Sequence, residues 1–235
     1  MVITSETPVR EIVLERPGAI PLLEELGIDY CCGGKHTLGE ACSRRQLGVS
    51  TVLDMLARQQ PQPSDTNWQT ARLTELTQHI VEKHHAFTRE QLRLLQEVAE
   101  KVQRRHGDRH PEIPEVYKAI AALIAETTHH FYCEENILFP YIGSLEEGEK
   151  PAQPPFFDTV DQPVTRMMME HDQTGDELRH LRELTNNYQP PPDACTTFRA
   201  LYRALDELER DLHQHIHLEN NILFPRVLAI AREQR

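Results

Sequence analysis

The sequence lacks an excess of positive charge, and this absence excludes several classes of partner. It has 25 Lys and Arg against 37 Asp and Glu, which gives a formal net charge of -12 at pH 7. Because binding to nucleic acid depends on cations that neutralise backbone phosphates, we expect no nucleic-acid partner. The sequence also lacks an apolar run of about 18 residues and a basic, apolar leader, so we expect neither a membrane partner nor export.

Cysteine is scarce as well. The five cysteines are an odd number, and their positions lack the paired spacings of a disulfide framework or a zinc ribbon. This pattern favours a reducing cytoplasm. Strand-like alternation is nearly absent too, so the sequence predicts an all-α protein.

The first 60 residues predict a small helical domain. Glycine and proline divide this part into four short helical pieces, and Thr37 and Ser50 are candidate N-caps. The stretch PQPSDT at 61–66 combines two prolines with polar residues, as linkers do. The predicted pieces cover residues 8–15, 19–26, 37–45 and 50–59.

Residues 67–235 predict a four-helix bundle. Four long helical patterns follow one another, with a predicted non-helical break at 143–156. Pro225 lies inside the last pattern and should kink or interrupt it. The predicted helices cover residues 68–105, 111–139, 160–186 and 195–232.

A duplicated motif predicts a site inside this bundle. The pattern HxxxExNILFP occurs twice, beginning at His130 and again 85 residues later at His215. In each copy the histidine and the glutamate, Glu134 or Glu219, are four residues apart and project from one face of a helix. Because a buried, ionised carboxylate is costly without compensation, a metal cation between the two copies is the favoured interpretation.

The duplication also indicates where further ligands should lie. His171 precedes His215 by 44 residues, and His85 precedes His130 by 45, so the spacing favours His85 over the neighbouring His84. Helical phase leaves the choice open. Steps of three or four residues place His84 inward when counted from Leu73, Leu76 and Ile80. His85 is instead in phase with Val81, Leu92 and Leu95.

The number of candidate ligands indicates two metal ions. His106 follows His85 by 21 residues, about six helical turns, and adds a fifth histidine. Five histidines and two glutamates exceed what one ion can use, and carboxylates are natural bridges between two ions. The donor set suits iron, manganese or zinc and, without cysteine, is not that of a structural zinc site. The other eight histidines are predicted to be surface residues rather than ligands.

Cys31 and Cys32 form a separate candidate redox site. A disulfide between adjacent residues would be strained and easily reduced, which favours labile redox or transfer chemistry. The loop around Gly33 and Gly34 precedes a helix whose N-terminus could lower the thiol pKa. A purely structural pair remains the alternative.

These motifs resemble the hemerythrin-like domain and, more closely, the RIC (repair of iron centres) family of di-iron proteins. The DYCCGGK segment at 29–35 and the TNN and PPPxACTT segments at 185–197 are also similar to that family. The resemblance implies a hemerythrin-like four-helix bundle with two carboxylate-bridged iron ions and a channel formed by Glu126 and Glu170. The implied metal ligands are His85, His106, His130, Glu134, His171, His215 and Glu219, with both glutamates bridging.

The resemblance further implies a function in repairing iron-sulfur clusters damaged by oxidative or nitrosative stress, and iron donation is the leading hypothesis. The expected partners are damaged iron-sulfur proteins as clients and O2 or nitric oxide as small ligands, with a homodimer as one compatible assembly. Two alternatives remain: a redox enzyme that converts nitric oxide or nitrite, and a sensor of O2 or nitric oxide.

Overall fold

The computed structural model describes residues 2–59, 66–149, 157 and 159–234. No strand occurs among them, so the all-α prediction is confirmed. Residues 61–65 of the predicted linker at 61–66 and residues 150–156 of the predicted break at 143–156 lie outside the described residues. The N-terminal unit consists of α1 (Val9–Glu15), α2 (Ile20–Leu26), α3 (Leu38–Arg44) and α4 (Val49–Arg58).

The caps of the N-terminal unit agree only in part with prediction. Thr37 caps α3, and together with Glu40 it forms a capping box that satisfies two backbone N–H groups. The prediction for Ser50 is wrong, because α4 already begins at Val49 and its N-cap is Gly48. The side chain of Val49 packs against the core of the unit, which favours the earlier start.

The bundle consists of four long helical rods, here called rods A to D. No helix among the described residues is long and apolar enough to cross a membrane. Rods A, B and D each contain a π-helical segment between two α-helices. Rod A comprises α5 (Leu73–His79), the π segment Ile80–His85 and α6 (Ala86–His106); rod B comprises α7 (Glu112–Cys133), the π segment Glu134–Leu138 and α8 (Phe139–Glu146); rod C is α9 (Asp161–Leu184); rod D comprises α10 (Thr196–His217), the π segment Leu218–Leu223 and α11 (Phe224–Glu233).

The π segment of rod A resolves the ambiguity between His84 and His85. A π turn contains an extra residue, so it shifts the phase of the apolar stripe between Ile80 and Leu92. Residues on both sides of the segment can then face the core. His84 and His85 are accordingly both buried, at 1% and 0% exposure.

The π segments also explain how two prolines fit within long helices. Pro140 and Pro225 are the second residues of α8 and α11, and each follows a π segment. Because proline lacks an N–H group, the local widening removes the need for one helical hydrogen bond. Rod D therefore continues through Pro225, and the disturbance lies in the π turn before it.

The predicted break at 143–156 starts too early. α8 continues to Glu146, and Ile142 and Leu145 are buried in the core at this end of the bundle. The Glu146 carboxylate also accepts hydrogen bonds from the backbone N–H groups of Leu73 and Thr74 at the start of α5. Tertiary packing and this cap outweigh the weak helix propensity of the segment.

Two apolar clusters fill the bundle, one on each side of a polar layer. One cluster contains residues such as Leu95, Leu123 and Leu208, and the other contains residues such as Leu76 and Val227. The inward-facing histidines and glutamates lie between them. This arrangement surrounds the polar layer with hydrocarbon, so charges there are expensive unless they compensate one another.

Candidate metal centre

The polar layer contains two groups of side chains that could each hold a metal ion. Within each group, one donor atom from every residue lies within 4.8 Å of the others, and every residue is buried. Glu134 and Glu219 belong to both groups, as bridging ligands must. The first group is His85, Glu134, His215 and Glu219, and the second is His130, Glu134, His171 and Glu219.

Each glutamate directs one oxygen towards each group. Oε2 of Glu134 lies 3.3 Å from His85 Nε2, while its Oε1 lies 3.2 Å from His130 Nε2. In the same way, Oε2 of Glu219 is 3.0 Å from His171 Nε2, and its Oε1 is 3.2 Å from His215 Nε2. A carboxylate that directs one oxygen towards each group has the geometry of a bridging ligand between two ions.

The histidines approach one another in pairs. The Nε2 atoms of His85 and His215 are 3.2 Å apart, and those of His130 and His171 are 3.1 Å apart. Two imidazole nitrogens that present lone pairs at this distance repel each other, whereas a shared cation is attractive to both. The donor set of imidazole and carboxylate therefore fits two borderline transition-metal ions such as iron.

The glutamate oxygens show the same need for cations. Glu134 and Glu219 are both 0% exposed, and apart from the nearby histidine nitrogens their four carboxylate oxygens have no hydrogen-bond partner among the described residues. Burial alone would raise the pKa of Glu219, but the neighbouring His215 and His171 lower it well below its ordinary value. The carboxylate is therefore held ionised, as a metal ligand must be.

Three of the four candidate histidine ligands are oriented by a hydrogen bond at Nδ1. His85 pairs with Glu135 Oε1 at 2.7 Å, and His171 pairs with Asn220 Oδ1 at 2.9 Å. Sequence reasoning missed both partners, although each directly follows a candidate glutamate ligand and occupies the variable position of the duplicated motif. His130 pairs with Glu170 Oε2 at 2.8 Å. Such contacts fix the ring so that Nε2 faces the centre.

Glu170 offers a test of this orienting role. Its contact with His130, supported by Arg166, lowers its pKa to about 2 despite partial burial, so the carboxylate is ionised throughout the neutral range. The Glu170→Gln substitution should retain most of the shape of the side chain but remove its negative charge. We expect iron affinity to fall roughly 10- to 100-fold, measured by competition with a chelator.

The control for this experiment is Glu183→Gln, an acidic residue on the same helix that does not contact the candidate ligands. Equal iron affinity in Glu170→Gln and the parent protein would contradict the orienting role.

Two histidines predicted to be at the surface are buried instead. His217 is 5% exposed. The Nδ1–H group of His84 donates a hydrogen bond to Asp211 Oδ1 over 3.0 Å, and the His84 ring stacks on that of His215. Neither belongs to the two groups. The surface prediction is wrong for His84 because it lies between rods A and D, against Asp211 and His215. It is wrong for His217 because the N-terminal unit covers this side chain, whose ring contacts that of Tyr30.

His106 is not brought to the centre, which corrects the prediction of five histidines. It ends α6, and its Nε2 lies 3.3 Å from the sulfur of Cys195 at the start of α10. A spacing of six turns permits His85 and His106 to lie on the same face of rod A. It also places His106 at the far end of the bundle from His85. Four histidines, rather than five, converge with the two glutamates.

A cavity of about 340 Å³ leads from the surface to the second group. Its lining includes Glu126, Glu170, His130 and His171. The two glutamates predicted to form a channel therefore lie at an opening beside the candidate ligands. Glu126 accepts a hydrogen bond from Gln173 at 2.7 Å.

The cysteine pair lies next to the same group. Cys32 Sγ is 3.4 Å from the His171 carbonyl oxygen, and Asn220 donates to the Cys31 carbonyl oxygen while it pairs with the His171 ring. The two sulfurs are 3.7 Å apart. The expected lowering of the thiol pKa is wrong for Cys31, since its hydrogen bond to Cys32 and its burial raise its pKa well above the ordinary value.

Comparisons with known proteins agree with this geometry. Residues 76–227 match the hemerythrin HHE cation binding domain, a di-iron domain, and residues 5–60 match a domain of unknown function, DUF542. The chain is 41% identical over 229 residues to the iron-sulfur cluster repair protein YtfE of Escherichia coli O157:H7, covering 95% of this chain and 97% of the relative. The protein of the same name from Escherichia fergusonii is 40% identical with the same coverage.

The two domain matches occur in the order expected of one family, and the matched residues include all six side chains of the candidate centre. The two ions expected there are iron. The chain therefore belongs to the RIC (repair of iron centres) family of hemerythrin-like di-iron proteins.

Proposed function

We propose that this protein repairs iron-sulfur clusters damaged by oxidative or nitrosative stress, and that it does so by donating iron. The observation that carries the proposal is a buried pair of metal-binding groups, joined by Glu134 and Glu219, with an opening and a cysteine pair beside one of them. The names of the similar proteins support the same process.

The proposed ligands leave part of each ion's coordination free. Each group supplies two imidazole nitrogens and two carboxylate oxygens, which is four donors for an ion that accepts six. When bound, the iron pair supplies open positions for small ligands and one-electron chemistry. The protein's part is to hold the ions in a dry layer and to control access to them.

Access is arranged asymmetrically. The cavity lined by Glu126 and Glu170 reaches His130 and His171, the histidines of the second group, and it also includes His215 of the first. A second cavity of about 480 Å³ reaches Cys31 and Cys32 between the N-terminal unit and rods C and D. Carboxylates and thiols are both ligands for ferrous iron, so these two openings support transfer out of the second group.

The cysteines can sense or assist transfer without a large movement. Asn220 contacts both the Cys31 carbonyl oxygen and the His171 ring, and the His171 carbonyl contacts Cys32. A change at the thiols therefore acts directly on a proposed iron ligand. This coupling supports a role in redox chemistry or transfer.

A repair assay tests the proposal. Iron-loaded protein is mixed with a nitrosylated or oxidised iron-sulfur dehydratase, and recovery of the client's activity is followed with time. We expect more recovery than an equal concentration of free ferrous ion produces, and loss of iron from the donor in proportion. Recovery no greater than with free ferrous ion would contradict iron donation.

A nitric oxide or nitrite-converting enzyme is the second candidate. The cavity beside the centre is partly apolar, with Phe131, Leu212 and Ile216 in its lining, and this suits a small diatomic ligand. Repeated turnover by the reduced protein without loss of iron would favour this function. A sensor of O2 or nitric oxide would need an output unit that responds to the bound ligand.

The same proposal places iron-sulfur proteins as clients in a reducing cytoplasm. All five cysteines are free, as expected there. Nitric oxide and O2 are the proposed small ligands. Whether the chain acts as a homodimer is measured by light scattering on the iron-loaded protein.

A further inference from the structure

A second cluster of potential metal ligands lies at the opposite end of the bundle. His106 ends α6, and His110 lies in the turn that follows; Asp193 and Cys195 lie in the connection before α10. His106 follows His85 by 21 helical residues, so the cluster is roughly 30 Å from the candidate iron centre. It is therefore independent of the iron ligands.

The four side chains form two close pairs. His106 Nε2 lies 3.3 Å from Cys195 Sγ, and His110 Nε2 lies 3.2 Å from Asp193 Oδ2. For a tetrahedral zinc ion, ordinary Zn–N and Zn–S bond lengths place neighbouring donors roughly 3.5 Å apart. Each pair is already close to the separation of two ligands on one ion.

The two pairs are near each other but do not form a closed site. The ring centres of His106 and His110 are 5.9 Å apart, compared with 4.8 Å for His85 and His215 in the iron centre. The donor atoms of this cluster do not all lie within 4.8 Å of one another, as those of the iron centre do, so metal binding requires the His110–Asp193 pair to move towards the His106–Cys195 pair. His110 lies outside the helices, in the turn between rods A and B, and turn residues are more mobile than helical ones.

A carboxylate orients one of the two imidazoles, that of His110, as in known metal sites. Nδ1 of His110 lies 3.3 Å from Glu112 Oε1, which leaves Nε2 for a metal ion. The Phe198 ring packs against both imidazoles at 5.3 and 5.2 Å and excludes water from one side. His106 is only 3% exposed, and its Nδ1 has no hydrogen-bond partner within the described chain.

We propose that His106, His110, Asp193 and Cys195 bind one divalent transition-metal ion of the zinc class. Two imidazoles, one thiolate and one carboxylate form a mixed donor set that matches a borderline ion in tetrahedral geometry. The ion would connect the turn between rods A and B to the connection between rods C and D, and so stabilise this end of the bundle.

Nearby positive charges limit the affinity of the proposed site for a dication, but they do not change the arrangement of its ligands. Lys101, Arg104 and Arg105 line the pocket beside His106 and Cys195. They repel a dication, whereas the thiolate and the carboxylate attract it with two negative charges.

Cobalt binding to the iron-loaded protein tests the proposal. The six proposed iron ligands include no sulfur, so cobalt bound in the iron centre should give no thiolate-to-cobalt charge-transfer band. Cobalt bound at the new site should give one. We expect one additional equivalent of Co²⁺ with this band in the parent protein. Zinc should displace the cobalt and raise the melting temperature of the parent.

Variants separate this site from the other cysteines. Cys195→Ser should abolish the band and the effect of zinc, whereas Cys31→Ser/Cys32→Ser should keep both. His110→Ala, in an irregular turn, provides a second variant and should weaken cobalt binding at least about tenfold. Circular dichroism and iron content monitor folding.

The proposal is overturned if the parent binds no metal beyond two ions per chain, or if the band survives Cys195→Ser. It is also overturned if His110→Ala binds cobalt as well as the parent. A band lost only in Cys31→Ser/Cys32→Ser would assign the ion to the N-terminal cysteine pair instead. None of these outcomes depends on repair activity, so the proposed function is tested separately.

Discussion

Glu219→Ala should reduce the iron content from two ions per chain to nearly none. Glu219 contributes an oxygen to both groups, and both oxygens are buried without another partner in the described residues. Its loss therefore weakens both ions together. His130→Ala removes a donor from the second group alone, so its iron content should fall less. Metal analysis of the purified variants measures the difference.

The same variant should unfold at a lower temperature when iron is present. Because the folded protein alone presents the complete set of ligands, iron binding stabilises it. For a site filled at about 1,000 times its Kd, the stabilisation is about 4 kcal/mol, which corresponds to roughly 10 °C in a chain of this size. After chelation, most of the difference between parent and variant should disappear.

Glu207→Ala is the matched control, since Glu207 is an exposed residue in α10 of the same rod and pairs with Arg203 rather than with a candidate ligand. It should keep both ions and its melting temperature. Unchanged iron content in Glu219→Ala would contradict the proposed ligand set. A difference in melting temperature that persists after chelation would show that packing, rather than metal binding, explains the effect.

Cys31→Ser/Cys32→Ser should keep two iron ions per chain but lose most of the repair activity. Neither sulfur belongs to the two metal groups, so iron content should not change. Serine has nearly the same shape but offers neither a soft ligand nor redox chemistry. If the thiols assist transfer as proposed, repair of the damaged dehydratase should fall at least about tenfold, because serine cannot replace a thiolate as a soft ligand for iron.

The single variants should differ. Cys31 is buried and its pKa is raised, so its thiol stays protonated at neutral pH, whereas Cys32 is partly exposed. Cys32→Ser should therefore account for the larger share of the loss. Cys42→Ser, in the core of the same unit, controls for general effects of removing a thiol. Full repair activity in the double variant would reduce the pair to a structural element.

Short-range patterns predict most of the bundle. The spacing of apolar residues reproduces four rods within a few residues, apart from the early end predicted at 143, and the capping box at Thr37 follows from local sequence alone. The separation of four residues between His130 and Glu134 places both side chains on one face, whatever the rest of the chain does.

Departures from regular helical geometry are harder to predict. The π segment at Ile80–His85 changes the phase of the inner face, and a periodicity of 3.6 residues cannot represent it. For that reason the apolar residues before and after the segment favoured different histidines. The structure buries both, and only His85 has its Nε2 near the glutamates.

By itself, the sequence determined the fold class and the pairs His130–Glu134 and His215–Glu219, because these depend on composition and on contacts within a single helix. Only the tertiary structure decided the features that join separate segments. It placed His106 beside Cys195 rather than beside iron, and it brought Cys32 against His171. Such contacts depend on how the rods pack against one another and on where a π turn rotates the inner face of a rod. Both properties arise only when all segments pack together.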